Sequence, residues 1–231
     1  GYSGSAKAAS IAYWKAQEKY FAAANEHKGV KLIGLMTHGP GQLHSARKVT
    51  RLDQINGMKL RLGGGVSGDV GDALGATGIR VPAPKVYETL ASKAADGVMM
   101  PMEGKKSFKL TEVAQHTYIM PGGFYRGSFA VIMNQEKFDS LSAKDQKALN
   151  GVFGLPLSSM AGQVWDSIDG AGFSTTSSAS DNSINQASSL DQAEFAKMSK
   201  KIVSKVLKEV SAKGVDGKAA QAFIAAEMAK L

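Results

Sequence analysis

Arg61 stands near the end of Met58-Lys59-Leu60-Arg61-Leu62, and Gly63-Gly64-Gly65 follows at once. A guanidinium delivered by a strand beside a glycine turn can grip a carboxylate through two parallel bonds, while glycine N–H groups approach the same small anion closely. Residue physics leaves two roles open for Arg61: anion clamp, or ordinary strand-surface cation. The run Gly63-Gly64-Gly65-Val66-Ser67-Gly68 also matches G-x-G-x-x-G, after a strand and before a helix, which is the setting of a dinucleotide site. Three features oppose an NAD(P)-dependent oxidoreductase. Lys59 and Arg61 alternate in a strand that a Rossmann fold keeps apolar. Asp69 and Asp72 would repel a pyrophosphate. The next strand ends Val81-Pro82-Ala83-Pro84, with no acid placed for a ribose hydroxyl.

Other chemistries find less support. His27, His38, His44 and His116 show no H-E-x-x-H spacing, and no G-x-S-x-G elbow occurs. His38 and His44 share a glycine-rich loop and could line a cleft, but a metal pair there has no carboxylate nearby. Cysteine is absent, which excludes disulfides, thiolate metal sites and cysteine nucleophiles. Val98-Met99-Met100-Pro101-Met102 reads as core strand and turn, or as an adaptable apolar wall against a ligand. Phe124 and Tyr125, after Gly122-Gly123, carry the same pair of readings: packing anchors, or an aromatic face closing on a solute. No catalytic residue, metal or cofactor is assigned.

The elements that must position these residues alternate. A helix is expected over 5–28, started by Ser3 or Ser5 and ended by Gly29, then a strand Val30–Met36 broken by Thr37-His38-Gly39-Pro40-Gly41. Strand 58–62, helix 66–76, strand 78–81, helix 84–94 and strand 97–100 follow, which argues for parallel βαβ units in an α/β fold. Gly127–Asn134 reads as the clearest buried strand of the chain. Ser142-Ala143-Lys144-Asp145 opens a helical region running to about Asp169. Residues 174–189, rich in Ser, Thr and Asn, form a loop or short polar strand, and helices over 190–213 and 216–230 close the chain.

Composition sets limits. The 231 residues suffice for one large domain or two small lobes. No apolar run approaches the ~18 residues of a membrane span, so membrane insertion is not expected. No leader precedes Gly1, so any export signal is expected to have been removed or left out. A net charge of +8 would suit a nucleic-acid binder. However, Lys197, Lys200, Lys201, Lys205, Lys208 and Lys213 fall on the wet side of a helix whose Met198, Ile202, Val206 and Val210 repeat every four residues. No aromatics interleave to stack bases, and nucleic acid is set aside.

Several spaced motifs in order carry a family resemblance: Gly57-Met58-Lys59-Leu60-Arg61, Leu74-Gly75-Ala76, Val86-Tyr87-Glu88-Thr89-Leu90 and Ala95-Asp96-Gly97. Over roughly Val30 to Phe173 the chain resembles the DctP-like extracytoplasmic solute receptors of TRAP-type transporters. The resemblance implies a two-lobed periplasmic binding protein (type II-like) with mixed and parallel sheets flanked by helices. It implies a periplasmic receptor without catalysis that takes a small organic acid in an interlobe cleft and delivers it to a membrane permease. Lobe I would comprise 1–38 plus 127–166, lobe II 39–126 plus 167–213, and 214–231 a C-terminal helix, with hinges near His38, Arg126 and Trp165. Arg61 would pair with the ligand carboxylate, with Gly63, Gly64, Met100, Phe124, Tyr125 and His38 around it. Many relatives carry asparagine where Met100 stands and an acid where Met99 stands; thioethers cannot donate hydrogen bonds, so a branched or aromatic monocarboxylate is expected rather than a sugar acid. The chain also begins where relatives are well advanced, so the early part of lobe I is expected to be absent. A plain interaction domain is the remaining rival.

Overall fold

A computed structural model describes residues 4–231, so Ser3 lies outside the described residues. The chain forms two compact units. The first comprises Gly39–Gly127 and Ser167–Ser204; the second comprises the chain through His38, Ser128–Asp166 and Lys205–Leu231.

The first unit is built on a six-stranded mixed sheet in the order β4-β3-β5-β2-β6-β8. Its strands are β2 (Gln42–Ser45), β3 (Lys59–Leu62), β4 (Thr77–Arg80), β5 (Gly97–Met100), β6 (His116–Ile119) and β8 (Ser183–Gln186). β3 runs parallel to β4 and β5, and β6 parallel to β8, while β2 is antiparallel to both β5 and β6. The C-terminal ends of β3, β4, β5 and β6 and the N-terminal end of β2 therefore share one edge of the sheet. Helix α2 (Val66–Ala73) and the first part of α9 (Ser189–Ala212) cover one face, where Leu60, Leu62, Val70, Leu74, Met99 and Phe195 share a core. Helices α3 (Val86–Ala91), α4 (Gly104–Ser107) and α5 (Leu110–Val113) follow β4 and β5, and Val86, Leu90, Val98, Met100 and Leu110 form a second core.

β2 lies where the loop Thr37–Gly41 and the polar residues beyond it give no strand signal. Its polar side chains are satisfied across the sheet. Gln42 exchanges bonds with the Met120 backbone at 3.2 and 2.8 Å, and His44 meets Thr117 Oγ1 at 3.0 Å. Asp191 ties sheet to helix from inside α9. It accepts bonds from Leu52 N at 3.0 Å, the Tyr118 hydroxyl at 2.8 Å and the Ser188 hydroxyl at 2.9 Å.

In the second unit, β1 (Val30–Thr37) and β7 (Ser128–Asn134) form an antiparallel pair. The outward N–H groups of Leu35 and Thr37 are taken by the Ser158 and Ser10 hydroxyls at 3.0 and 2.9 Å, and Ile33 O accepts from Gly154 N. β7 forms where expected but is not buried: Phe129 and Ile132 are 43% and 53% exposed. Apolar sequence shows that a strand favours burial, not that anything covers it. Helix α1 (Ala6–Ala16) starts at Ser5, whose hydroxyl accepts from Ala8 N. It gives way to a π-turn over Gln17–Phe21 and then a 3₁₀ turn that ends at left-handed Asn25, well before Gly29. After α6 (Gln135–Asp139), the region expected to be helical from Ser142 divides at Gly151–Gly154 into α7 (Ala143–Asn150) and α8 (Leu155–Ser178), whose residues from Ser167 onward belong to the first unit. Helix α8 outlasts its expected end because the hydroxyls of Ser174, Thr175 and Thr176 bond back to Gly170, Ala171 and Gly172 carbonyls, instead of breaking the helix. α10 (Gly217–Met228) closes the unit, with Glu227 bridged by Lys15 at 2.6 Å and by Lys230. No helix among the described residues is long and apolar enough to cross a membrane.

Burial pushes the Asp191 carboxyl up, but its bonds from Leu52, Tyr118 and Ser188 outweigh that and leave its pKa below the ordinary value of 3.8. A lowered native pKa stabilises the fold fully above the unfolded value, and that contribution fades as pH falls through the native one. Asp191→Ala should cost about 2–3 kcal/mol at neutral pH, since it strands a buried N–H and a buried hydroxyl. Urea unfolding of both proteins should show the gap narrowing below pH 3.8.

Candidate functional site

Arg61 occupies the second-last position of β3, between Ile79 of β4 and Val98 of β5. Such alternation places it on the face opposite Leu60 and Leu62. It is only 6% exposed. Its Nε donates to Val81 O at 2.9 Å, which fixes the plane of the guanidinium. Among the described residues no carboxylate forms an ion pair with it. Burial lowers its pKa, the Tyr125 side chain opposes that, and the group keeps its charge at any physiological pH. A cation is thus held out of solvent, anchored at one nitrogen, with its terminal N–H fork available to an anion.

Beyond β3, Gly64 and Gly65 adopt φ of +91° and +54°, a conformation that side-chain-bearing residues seldom take. Gly65 carries the first turn of α2, accepting from Gly68 and Asp69 N–H, and the Ser67 hydroxyl bonds back to Gly64 O. Gly63 has open room, with Ser67 Oγ 3.7 Å from where a Cβ would lie.

Tyr125 reaches the same sheet edge by a bridge in which Gly41 N donates to Tyr125 O at 2.9 Å. Its hydroxyl donates to Met99 O at 3.1 Å. Burial raises this phenol to about 12, with Arg61 acting against and Glu103 with the rise, so it remains a donor at neutral pH. Glu103 is buried where the turn after β5 opens α4, and burial raises its carboxyl, partly offset by Ser107. Its backbone N–H donates to Asp169 Oδ1 of α8 at 2.8 Å. Close approach here depends on glycine. A Cβ on Gly172 would lie 2.0 Å from Met102 O, and one on Gly39 would lie 1.7 Å from Asp169 Oδ2.

The structure separates the remaining candidates. Phe124 is buried against Phe195 and Tyr118, at centroid distances of 5.1 and 6.3 Å, so its surroundings serve packing. Met100 sits in the second core, and its carbonyl accepts from His44 Nε2 at 3.1 Å. His44 is fully buried. Burial, then the charge of Lys105, lowers its pKa to about 3, which keeps it neutral and makes it a sheet fastener. His38 belongs to the second unit, where it contacts Phe129 and Trp165 at 6.0 Å each, while those two rings stack at 5.9 Å.

Residues 5–210 match the family described as bacterial extracellular solute-binding protein, family 7 (DctP). The chain belongs to this family. A TRAP periplasmic solute-binding protein from Bordetella bronchiseptica, with (R)- and (S)-mandelate bound, is 37% identical; the match covers 99% of this chain and 72% of that one, with a TM-score of 0.94. A TRAP solute-binding protein from a marine metagenome, specific for aromatic acid ligands and holding metahydroxyphenylacetate, is 29% identical, with coverages of 98% and 71% and a TM-score of 0.88. The outer membrane transporter protein TsaT of Comamonas testosteroni is 26% identical over 226 residues, which is 97% of this chain and 66% of that protein. The chain thus spans just under two thirds of TsaT.

Within this DctP-family chain, sequence reasoning missed Val81, Glu103 and Asp169. Glu103 follows a strand end and a proline, a usable signal for a turn near a site. Asp169 carries none, because its bond to Glu103 spans 66 positions. Gly172→Ala should force α8 away from the turn that carries Glu103 and lower stability by about 1–3 kcal/mol in urea unfolding. Gly170→Ala, where nothing lies within 4 Å of the added carbon, should be neutral or stabilising.

Proposed function

We propose that this protein is a periplasmic receptor of a TRAP transporter that binds a small aromatic monocarboxylate and delivers it to the membrane permease. One observation carries the reading: Arg61 is buried and oriented by Val81 O, yet has no carboxylate partner among the described residues. An isolated buried guanidinium is costly, and a ligand carboxylate supplies both the missing charge and the two acceptors its fork fits. Tyr125 stays neutral in the same electrostatic neighbourhood, with its hydroxyl proton held by Met99 O, and the Gly63–Gly65 turn lets backbone N–H groups approach.

The mandelate held by the Bordetella protein and the metahydroxyphenylacetate held by the metagenome protein are both aromatic monocarboxylates. Both offer the flat, two-oxygen anion that the Arg61 fork fits. A micromolar ligand needs about −8 kcal/mol. Two shielded bonds to Arg61 at about 1.5–3 kcal/mol each, with burial of one ring, reach that range.

Calorimetry on the purified protein should show mandelate or 3-hydroxyphenylacetate binding, and glucuronate failing at equal concentration. Arg61→Ala should weaken the aromatic acid by about 100-fold or more, with its melting temperature near that of the parent protein. Arg61→Lys should recover only a small part, because a point charge cannot supply the paired geometry. Undiminished affinity in Arg61→Ala would sink the assignment. Quenching of intrinsic fluorescence by NADH, with no response to organic acids, would favour the glycine run as a nucleotide site.

A further inference from the structure

Five lysines of α9 form a stripe that neither the ligand site nor the cores use. Lys197, Lys200, Lys201, Lys205 and Lys208 are all exposed, and their spacing of 0, 3, 4, 8 and 11 confines them to an arc of about 140° on a 3.6-residue helix. The stripe extends about 16 Å at 1.5 Å per residue. Phe195, Met198, Ile202 and Val206 lie on the opposite side of the same helix; Phe195 is in the core of the first unit, and Met198 and Ile202 pack against it. Lys197, Lys200, Lys201 and Lys208 have no ion pair or side-chain hydrogen bond among the described residues. Two carboxylates flank the stripe in sequence, Glu194 before its first lysine and Glu209 after its last, and Lys205 has a partner of its own. The whole chain carries a formal charge of +8.

We infer that this face of α9 attaches the protein reversibly to an anionic lipid surface. Lysine rather than arginine throughout means compact, strongly hydrated charges without a directional fork, suited to headgroups that offer anions at every point along the line. Specific acidic side chains of a partner protein would instead favour paired, oriented donors. The exposed apolar side chain within this span, Val203, lies about 60° outside the arc of lysines on a 3.6-residue helix, so the attachment is electrostatic and salt-sensitive. The inference rests on the receptor reading for its purpose: a carrier serving a membrane-embedded permease gains from diffusing along the surface that holds it.

Vesicle sedimentation tests this with the whole protein. Phosphatidylglycerol–phosphatidylcholine vesicles should bind it at an ionic strength of about 0.01 M and release most of it at about 0.15 M, while pure phosphatidylcholine binds none. Each lysine near an anionic surface strengthens attachment by about fivefold, so the triple change Lys197→Gln, Lys201→Gln, Lys208→Gln should weaken it at least tenfold. A control that removes the same charge elsewhere, Lys85→Gln, Lys144→Gln, Lys147→Gln, should weaken it less than threefold. Equal loss in both triples, no binding to the anionic vesicles, or tighter binding to soluble polyglutamate than to the vesicles would each overturn the inference. Mandelate calorimetry on the same samples separates the two readings: ligand binding without vesicle attachment ends the lipid inference alone, and attachment without ligand binding ends the ligand assignment alone.

Discussion

Burying the Arg61 guanidinium, with no carboxylate paired to it among the described residues, is the constraint the first unit must meet. Removing such a charge from water costs several kcal/mol unless its donors are met and its counter-charge is supplied. The protein supplies part of this. Val81 O takes the Nε proton, and two neighbouring parallel strands hold the backbone on either side. In the proposed reading a flat anion with two oxygens supplies the remainder, and a side chain oriented before any anion arrives loses little freedom on meeting it. The chain belongs to the bacterial extracellular solute-binding protein family 7, which supports the proposal that a ligand carboxylate meets Arg61.

Sheet topology decides where the demand is placed. Because β3, β4, β5 and β6 all point the same way, their following turns collect along one edge, and antiparallel β2 adds its entry loop to the same edge. The glycine turn, Val81, Glu103 and Tyr125 are therefore neighbours in space though they span some sixty positions of chain. Fastening this edge falls to buried polar groups. Asp169 holds the Glu103 backbone, and neutral His44 joins Thr117 to the Met100 carbonyl. Glycine at 39 and 172 lets backbones come close enough for these bonds to form.

Much of this arrangement was legible in the residues. Arg61 stood out because charge alternated in a short strand and glycine followed directly, a local pattern that needs no tertiary knowledge. The βαβ alternation from Met58 to Met100 was legible for the same reason. β2 was not, since glycine and proline precede it and its polar residues look like loop until their partners across the sheet are known. Asp169 was hidden because nothing near it in sequence announces a bond so distant along the chain. Phe124 shows the converse failure: an aromatic after two glycines has one appearance whether it faces a ligand or, as here, two other rings of the core. The lysines of α9 were legible as a wet face, but the absence of ion pairs at Lys197, Lys200, Lys201 and Lys208 among the described residues could not be read from the sequence.

The serine hydroxyls beside β1 give the small sheet of the second unit a direction of growth. With Leu35 and Thr37 N–H already occupied by Ser158 and Ser10, that flank is closed to any incoming backbone. Among the described residues the β7 flank alone is left to recruit another strand, so the pair behaves as a one-sided template rather than the seed of an endless ribbon.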